Sequence, residues 1–218
     1  MTRRLSATLL ALSLICLQAI RAQTIDKTLA STLGPAELQD LYEICRHSTL
    51  TPEQQKDLSA LLSEKNAMFM EFFRQNDGFL TLEQEKQLTG MKESAMRKVM
   101  SDEQLMQYFR YLATSDATRA GHEARDAVAA QMNLTYMERK YINNTFYVIE
   151  QESYALRMLY KGQTKRIREE IQKVYEREIG YLIQKSGIFV DRDMKATRKF
   201  ILNDYAPLTP ETAQEPAE

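Results

Sequence analysis

Apolar residues recur along this chain at spacings of three and four. Leu58, Leu61, Leu62, Phe69, Phe72 and Phe73 form one stripe. Leu88, Met91, Ala95 and Met96 form another, and Ile167, Ile171, Val174, Ile179 and Leu182 a third. That period is the turn of an α-helix. It predicts helices over 35–47, from Thr51 to Gln75 and from Thr81 to Val99. A fourth starts at Ser101 and carries Leu105, Tyr108, Phe109 and Leu112. Asp77-Gly78 breaks the chain between the second and third. The stretch "ATSDATRAGHE" is small and polar, and reads either as a linker or as a helix passing through Gly121. A long helix over 123–160 follows, with Met132, Tyr136, Tyr141, Phe146, Ile149 and Leu156 among its apolar positions. Gly162 ends or bends it. A helix over 164–185, a turn, and a last helix over 191–203 complete the pattern, leaving 206–218 as a disordered tail.

The helix entries share a phrase. Leu50-Thr51-x-x-Gln54, Leu80-Thr81-x-x-Gln84 and Met100-Ser101-x-x-Gln104 each place an apolar residue, a hydroxyl residue and a glutamine in the same order. The hydroxyl is an N-cap type, able to accept from a free N–H of the first turn. The glutamine holds the third helical position, from which it reaches back to the cap's own N–H. Pro52 suits the first helical position, and Glu53, Glu83, Asp102 and Glu103 suit the positive end of the helix dipole. A weaker echo pairs Leu50-Thr51, Lys56 and Leu58 with Leu134-Thr135, Lys140 and Ile142, which would be the trace of a duplication.

Composition supports an all-α chain: seven glycines and five prolines leave little to punctuate strands. The N-terminus reads as a secretory signal peptide over 1–22. Arg3 and Arg4 precede a short apolar stretch, and Ala22 offers the cleavage site, with Ala19 as the alternative. Removing Arg3, Arg4 and Arg21 takes the formal charge from −1 to −4, so no nucleic-acid partner is expected. No later run is apolar enough to span a bilayer, so the mature chain is expected without a membrane span. Cys45 is then the one cysteine left. It reads as a buried small hydrophobe or as half of an intermolecular disulfide.

Catalytic patterns are hard to find. His47 and His122 have no second ligand nearby at metal spacing, and no zinc-protease, nucleophile-elbow or phosphate-loop motif occurs. The expectation is no enzyme, no cofactor and no metal site. Carboxylate-rich helix faces are the residual route to a metal-dependent enzyme. Asn133-Leu-Thr135 and Asn143-Asn-Thr145 match the glycosylation sequon, relevant in a eukaryotic secretory route alone. Met68 and Met70 beside Phe69, Phe72 and Phe73, with Tyr108, are candidates for an adaptable apolar binding surface; core packing is their alternative role.

The three entry phrases, with an export signal and a helical body, resemble the LTxxQ repeats of the Spy/CpxP family of periplasmic stress proteins and ATP-independent chaperones. The resemblance covers 35–112. It implies long antiparallel helical hairpins in an extended bundle, a cradle-like homodimer, and a concave surface that holds unfolded clients. The roles it carries to Leu50, Thr51, Gln54, Leu80, Thr81, Gln84, Met100, Ser101 and Gln104 are structural. The family's client surface tends to be basic, whereas this chain is acidic, and residues 115–205 have no family counterpart. The expected organisation is an LTxxQ-like unit over 23–114 and a second helical unit over 115–205. The expected function is an exported, non-enzymatic protein of chaperone or envelope-stress type. Its alternative is a helical assembly or adaptor component of an envelope complex, binding one defined protein partner.

Overall fold

A computed structural model describes residues 25–186. The segment read as a signal peptide, the helix expected over 191–203 and the tail expected over 206–218 lie outside the described residues. Within them the chain is an all-α bundle with no strand. The helices are α1 Lys27–Ala30, α2 Pro35–His47, α3 Pro52–Gln75, α4 Leu82–Val99, α5 Asp102–Leu112, α6 Thr114–Ala129, α7 Tyr136–Leu159 and α8 Thr164–Ser186. The chain divides into two units at Leu105/Met106, within α5.

In the first unit each helix begins where its chemistry dictates. Pro35 opens α2 behind Gly34. Thr51 caps α3 and Thr81 caps α4, each in a full capping box with the glutamine three residues on. α4 runs back along α3, as paired contacts of falling and rising number show: Gln87 Nε2 meets Met68 Sδ at 3.3 Å, and Gln54 Nε2 donates to the Val99 carbonyl at 2.8 Å. The core between α2 and α3 holds Leu41, Ile44, Leu50, Leu58 and Leu62, none of them exposed. A fully buried leucine of this kind contributes about 1.5–3 kcal/mol of transfer free energy. Cys45 sits in the same interior, 2 % exposed, and burial pushes its thiol up to about 11. The thiol is therefore protonated and unreactive at neutral pH.

Asp40 ties α2, α3 and α4 together. Its carboxylate accepts from Lys65 of α3 and, at 3.0 Å, from Lys92 of α4, which also reaches Glu43 at 3.0 Å. Burial alone would raise the Asp40 pKa; hydrogen bonds and charge from the two lysines outweigh it and hold the group below its ordinary 3.8. A depressed carboxylate stabilises the fold above its unfolded pKa and stops doing so as pH falls through the folded one. Asp40→Asn is therefore expected to cost about 1 kcal/mol at neutral pH. Thermal melts of variant and parent should converge as pH drops below 3.8. A gap that stayed constant into strong acid would remove the linkage.

In the second unit α6, α7 and α8 pack around Val128, Ile142, Phe146, Ile149, Tyr175 and Leu182, with Leu156, Ile171 and Val174 forming a smaller cluster towards Met106. The small polar stretch resolves as helix: α6 runs through Gly121, which is buried against α7. The single helix expected over 123–160 is two helices. The chain leaves α6 at Ala129 and restarts at Tyr136. Thr135 supplies the restart, accepting from the Glu138 N–H at 3.3 Å while its own N–H donates to the Glu138 carboxylate at 2.6 Å. Gly162, at φ 85°, turns the chain from α7 into α8, a left-handed conformation that suits glycine.

Candidate functional site

Two arrangements in the first unit set it apart from generic helix packing. One joins two of the repeated phrases. Gln54 Oε1 accepts from the Thr51 N–H at 3.0 Å, and Gln104 Oε1 accepts from the Ser101 N–H at 2.8 Å, so each glutamine caps its own helix. Each amide nitrogen then crosses over. Gln54 Nε2 donates to the Val99 carbonyl at 2.8 Å, and Gln104 Nε2 to the Thr49 carbonyl at 2.5 Å, in both cases two residues before the other helix's cap. The two amides also meet one another at 2.9–3.0 Å. Ser48 Oγ adds a bond to the Gln104 carbonyl at 2.8 Å. The result is a reciprocal clasp of nearly twofold form between the starts of α3 and α5. It uses the polar groups that a helix N-terminus leaves unpaired. The middle phrase does otherwise: Gln84 caps α4 and accepts from Asn76 Nδ2 at 2.7 Å across the α3–α4 turn.

That turn carries the second arrangement. Asp77 at φ 50° and Gly78 at φ 91° reverse the chain. The Phe73 ring lies directly over Gly78, 3.5 Å from where a Cβ would stand, and stacks on Phe69 with ring centroids 5.7 Å apart. Asn76, Gly78 and Gln84 hold the turn by polar bonds and backbone shape, so its apolar side chains are left outside. Phe79 is 75 % exposed, Leu82 68 %, Met70 45 % and Phe73 41 %. These form an apolar tip at one end of the α3–α4 hairpin.

The tip includes part of the expected surface. Phe73 is on it; Met68, Phe69 and Phe72 are half-buried beneath it. Tyr108 is not a surface residue, being 3 % exposed, with its ring tilted against those of Phe109 and Tyr111 at centroid distances of 6.2 Å. Met70, named with that surface, is 45 % exposed; Phe79 and Leu82 were not singled out. Phe79 and Leu82 flank the turn rather than join a helical stripe. Their signal was available in another form, as large apolar residues placed beside Asp-Gly and at a helix's first position.

Titratable chemistry is sparse here. His47 is half-buried, its pKa lowered by desolvation and by Arg46. Among the described residues no three His, Cys, Asp or Glu side chains are grouped to hold a metal ion, and no helix is long and apolar enough to cross a membrane. What the first unit offers chemically is a rigid polar clasp and an exposed apolar tip. No family model, curated protein or solved structure matches the chain.

Proposed function

We propose that this is an exported, non-enzymatic helical protein of the chaperone or envelope-stress type, which holds apolar segments of partly unfolded proteins at the α3–α4 tip. The observation that supports the reading is the exposure of Phe79 and Leu82 beside a turn held by Asn76, Gly78 and Gln84, with Met70 and Phe73 of α3 exposed near it. Aromatic and methionine side chains adapt to varied apolar partners, and surrounding charge keeps a loaded complex in solution. The three capped phrases and the export signal point the same way through the family they resemble.

The test is suppression of client aggregation by the mature chain without ATP. The double variant Phe79→Ser/Leu82→Ser should raise the amount of protein needed at least about tenfold, a loss of about 1.4 kcal/mol, which is less than full burial of even one such side chain contributes. Its melting temperature should match that of the parent. Parent protein that leaves aggregation unchanged at several-fold excess would end this reading.

The alternative is an assembly component binding one defined envelope protein. The second unit supports it, because it has its own core and lies largely outside the resemblance. Pull-down from envelope extracts separates the two: a broad set of clients favours chaperoning, one stoichiometric partner favours assembly.

A further inference from the structure

The second unit carries a feature that client binding does not use. A cleft of about 370 Å³ opens beside the α6–α7 packing, lined by His122, Arg125, Asp126, Arg139, Lys140 and Asn143, with Tyr136 at its edge. Three permanent cations face one carboxylate there, in a chain whose overall formal charge is −1. The local surplus of positive charge therefore runs against the balance of the whole chain.

Internal pairing takes up one of the three cations. Arg125 and Asp126 satisfy one another through bonds of 2.7 and 3.0 Å and form a neutral pair. Arg139 spends one N–H, its Nε, on the Leu134 carbonyl at a long 3.4 Å. Its terminal nitrogens, the Lys140 ammonium and the Tyr136 hydroxyl make no hydrogen bond among the described residues, while Arg139 lies near enough to Asp126 to add, after Arg125, to the lowering of that carboxyl's pKa. Tyr136 is the first residue of α7, so Arg139 and Lys140 stand within its first turns; the helix dipole there is already met by Glu138, whose carboxylate accepts from the Thr135 N–H. The wall behind them is firm, because Gly121 lets α6 approach the Asn143 backbone closely.

We propose that this cleft binds a phosphate-type oxyanion, either free phosphate or the phosphate of a larger molecule, through Arg139 and Lys140. Arginine offers a planar fork for two oxygens, and lysine a point charge for a third. Asp126 acts as a brake: it repels the ligand and occupies Arg125.

The test is an amide NMR titration of the mature chain with inorganic phosphate, against chloride at matched ionic strength. Saturable shifts over 122–126 and 136–143 are expected with phosphate alone. Arg139→Gln and Lys140→Gln, at exposed positions, should each weaken the apparent Kd about tenfold. Asp126→Asn should tighten it, an effect that loss of a merely structural contact would not produce. Vesicles separate the sources. Sedimentation with phosphatidylglycerol but not phosphatidylcholine, competed by phosphate, assigns the site to a lipid headgroup; saturable phosphate binding without sedimentation assigns it to a soluble phosphate. Shifts that chloride reproduces, or a Kd unmoved by both glutamine variants, overturn the proposal.

Discussion

Gly121→Val is expected to destabilise the second unit by about 3 kcal/mol. A Cβ at this position would stand 2.6 Å from the Asn143 carbonyl oxygen, 3.2 Å from its side-chain oxygen and 3.4 Å from its carbonyl carbon. Two of these three atoms belong to the backbone of α7 and cannot rotate away. Even a methyl group must push α6 from α7, and packed interiors yield poorly to added volume. The change carries a gain as well, because glycine inside a helix costs up to about 1 kcal/mol relative to alanine. Gly90 in α4 and Gly180 in α8 isolate that gain, since nothing lies within 4 Å of a Cβ at either. Gly90→Ala and Gly180→Ala should therefore raise stability by about 0.5–1 kcal/mol while Gly121→Val lowers it. Urea titration followed by circular dichroism reads all three. Should Gly121→Ala prove as stabilising as Gly90→Ala, the close approach of α6 and α7 is not real.

The second large effect belongs to the clasp. Gln54→Ala and Gln104→Ala are each expected to cost about 1.5 kcal/mol, and the double variant about 2–2.5 kcal/mol. Each substitution removes a cap and leaves the opposite carbonyl, Val99 or Thr49, without its donor. The two losses are not independent, because the amides also bond one another. The sum of the single costs should exceed the double cost by about 0.5–1 kcal/mol, the coupling carried by that shared pair. Gln84→Ala is the control. Its glutamine caps α4 and meets Asn76, so it should cost about 1 kcal/mol and show no coupling to either of the others. Additive behaviour of Gln54 and Gln104 would mean that the repeated phrases serve their own helices and nothing more.

The helical entries were legible because their signals are local. A hydroxyl and a glutamine three residues apart need only their own turn of helix, and α2 to α4 begin and end where 35–47, 51–75 and 81–99 had placed them. The same logic failed at Thr135, where glutamate fills the third position in place of glutamine. Apolar spacing on either side of 130–135 continued smoothly enough to read as one helix. The clasp was out of reach for a different reason. The phrases named Gln54 and Gln104 as caps, but an amide has two ends. Where the second end goes depends on α3 and α5 starting side by side, which no local pattern records. Periodicity also misjudged the surface. It grouped Tyr108 with candidate binding residues because it is apolar and helical, whereas the exposed Phe79 and Leu82 lie where periodicity breaks off.

The turn at Asp77-Gly78 divides labour: polar atoms and the Phe73 ring keep its form, and Phe79 and Leu82 beside it stand mostly exposed. Residues 79 and 82 are thus free to drift over generations without endangering the scaffold. Selection can retune what this corner of the molecule prefers to touch, one side chain at a time, while the rest stays unchanged.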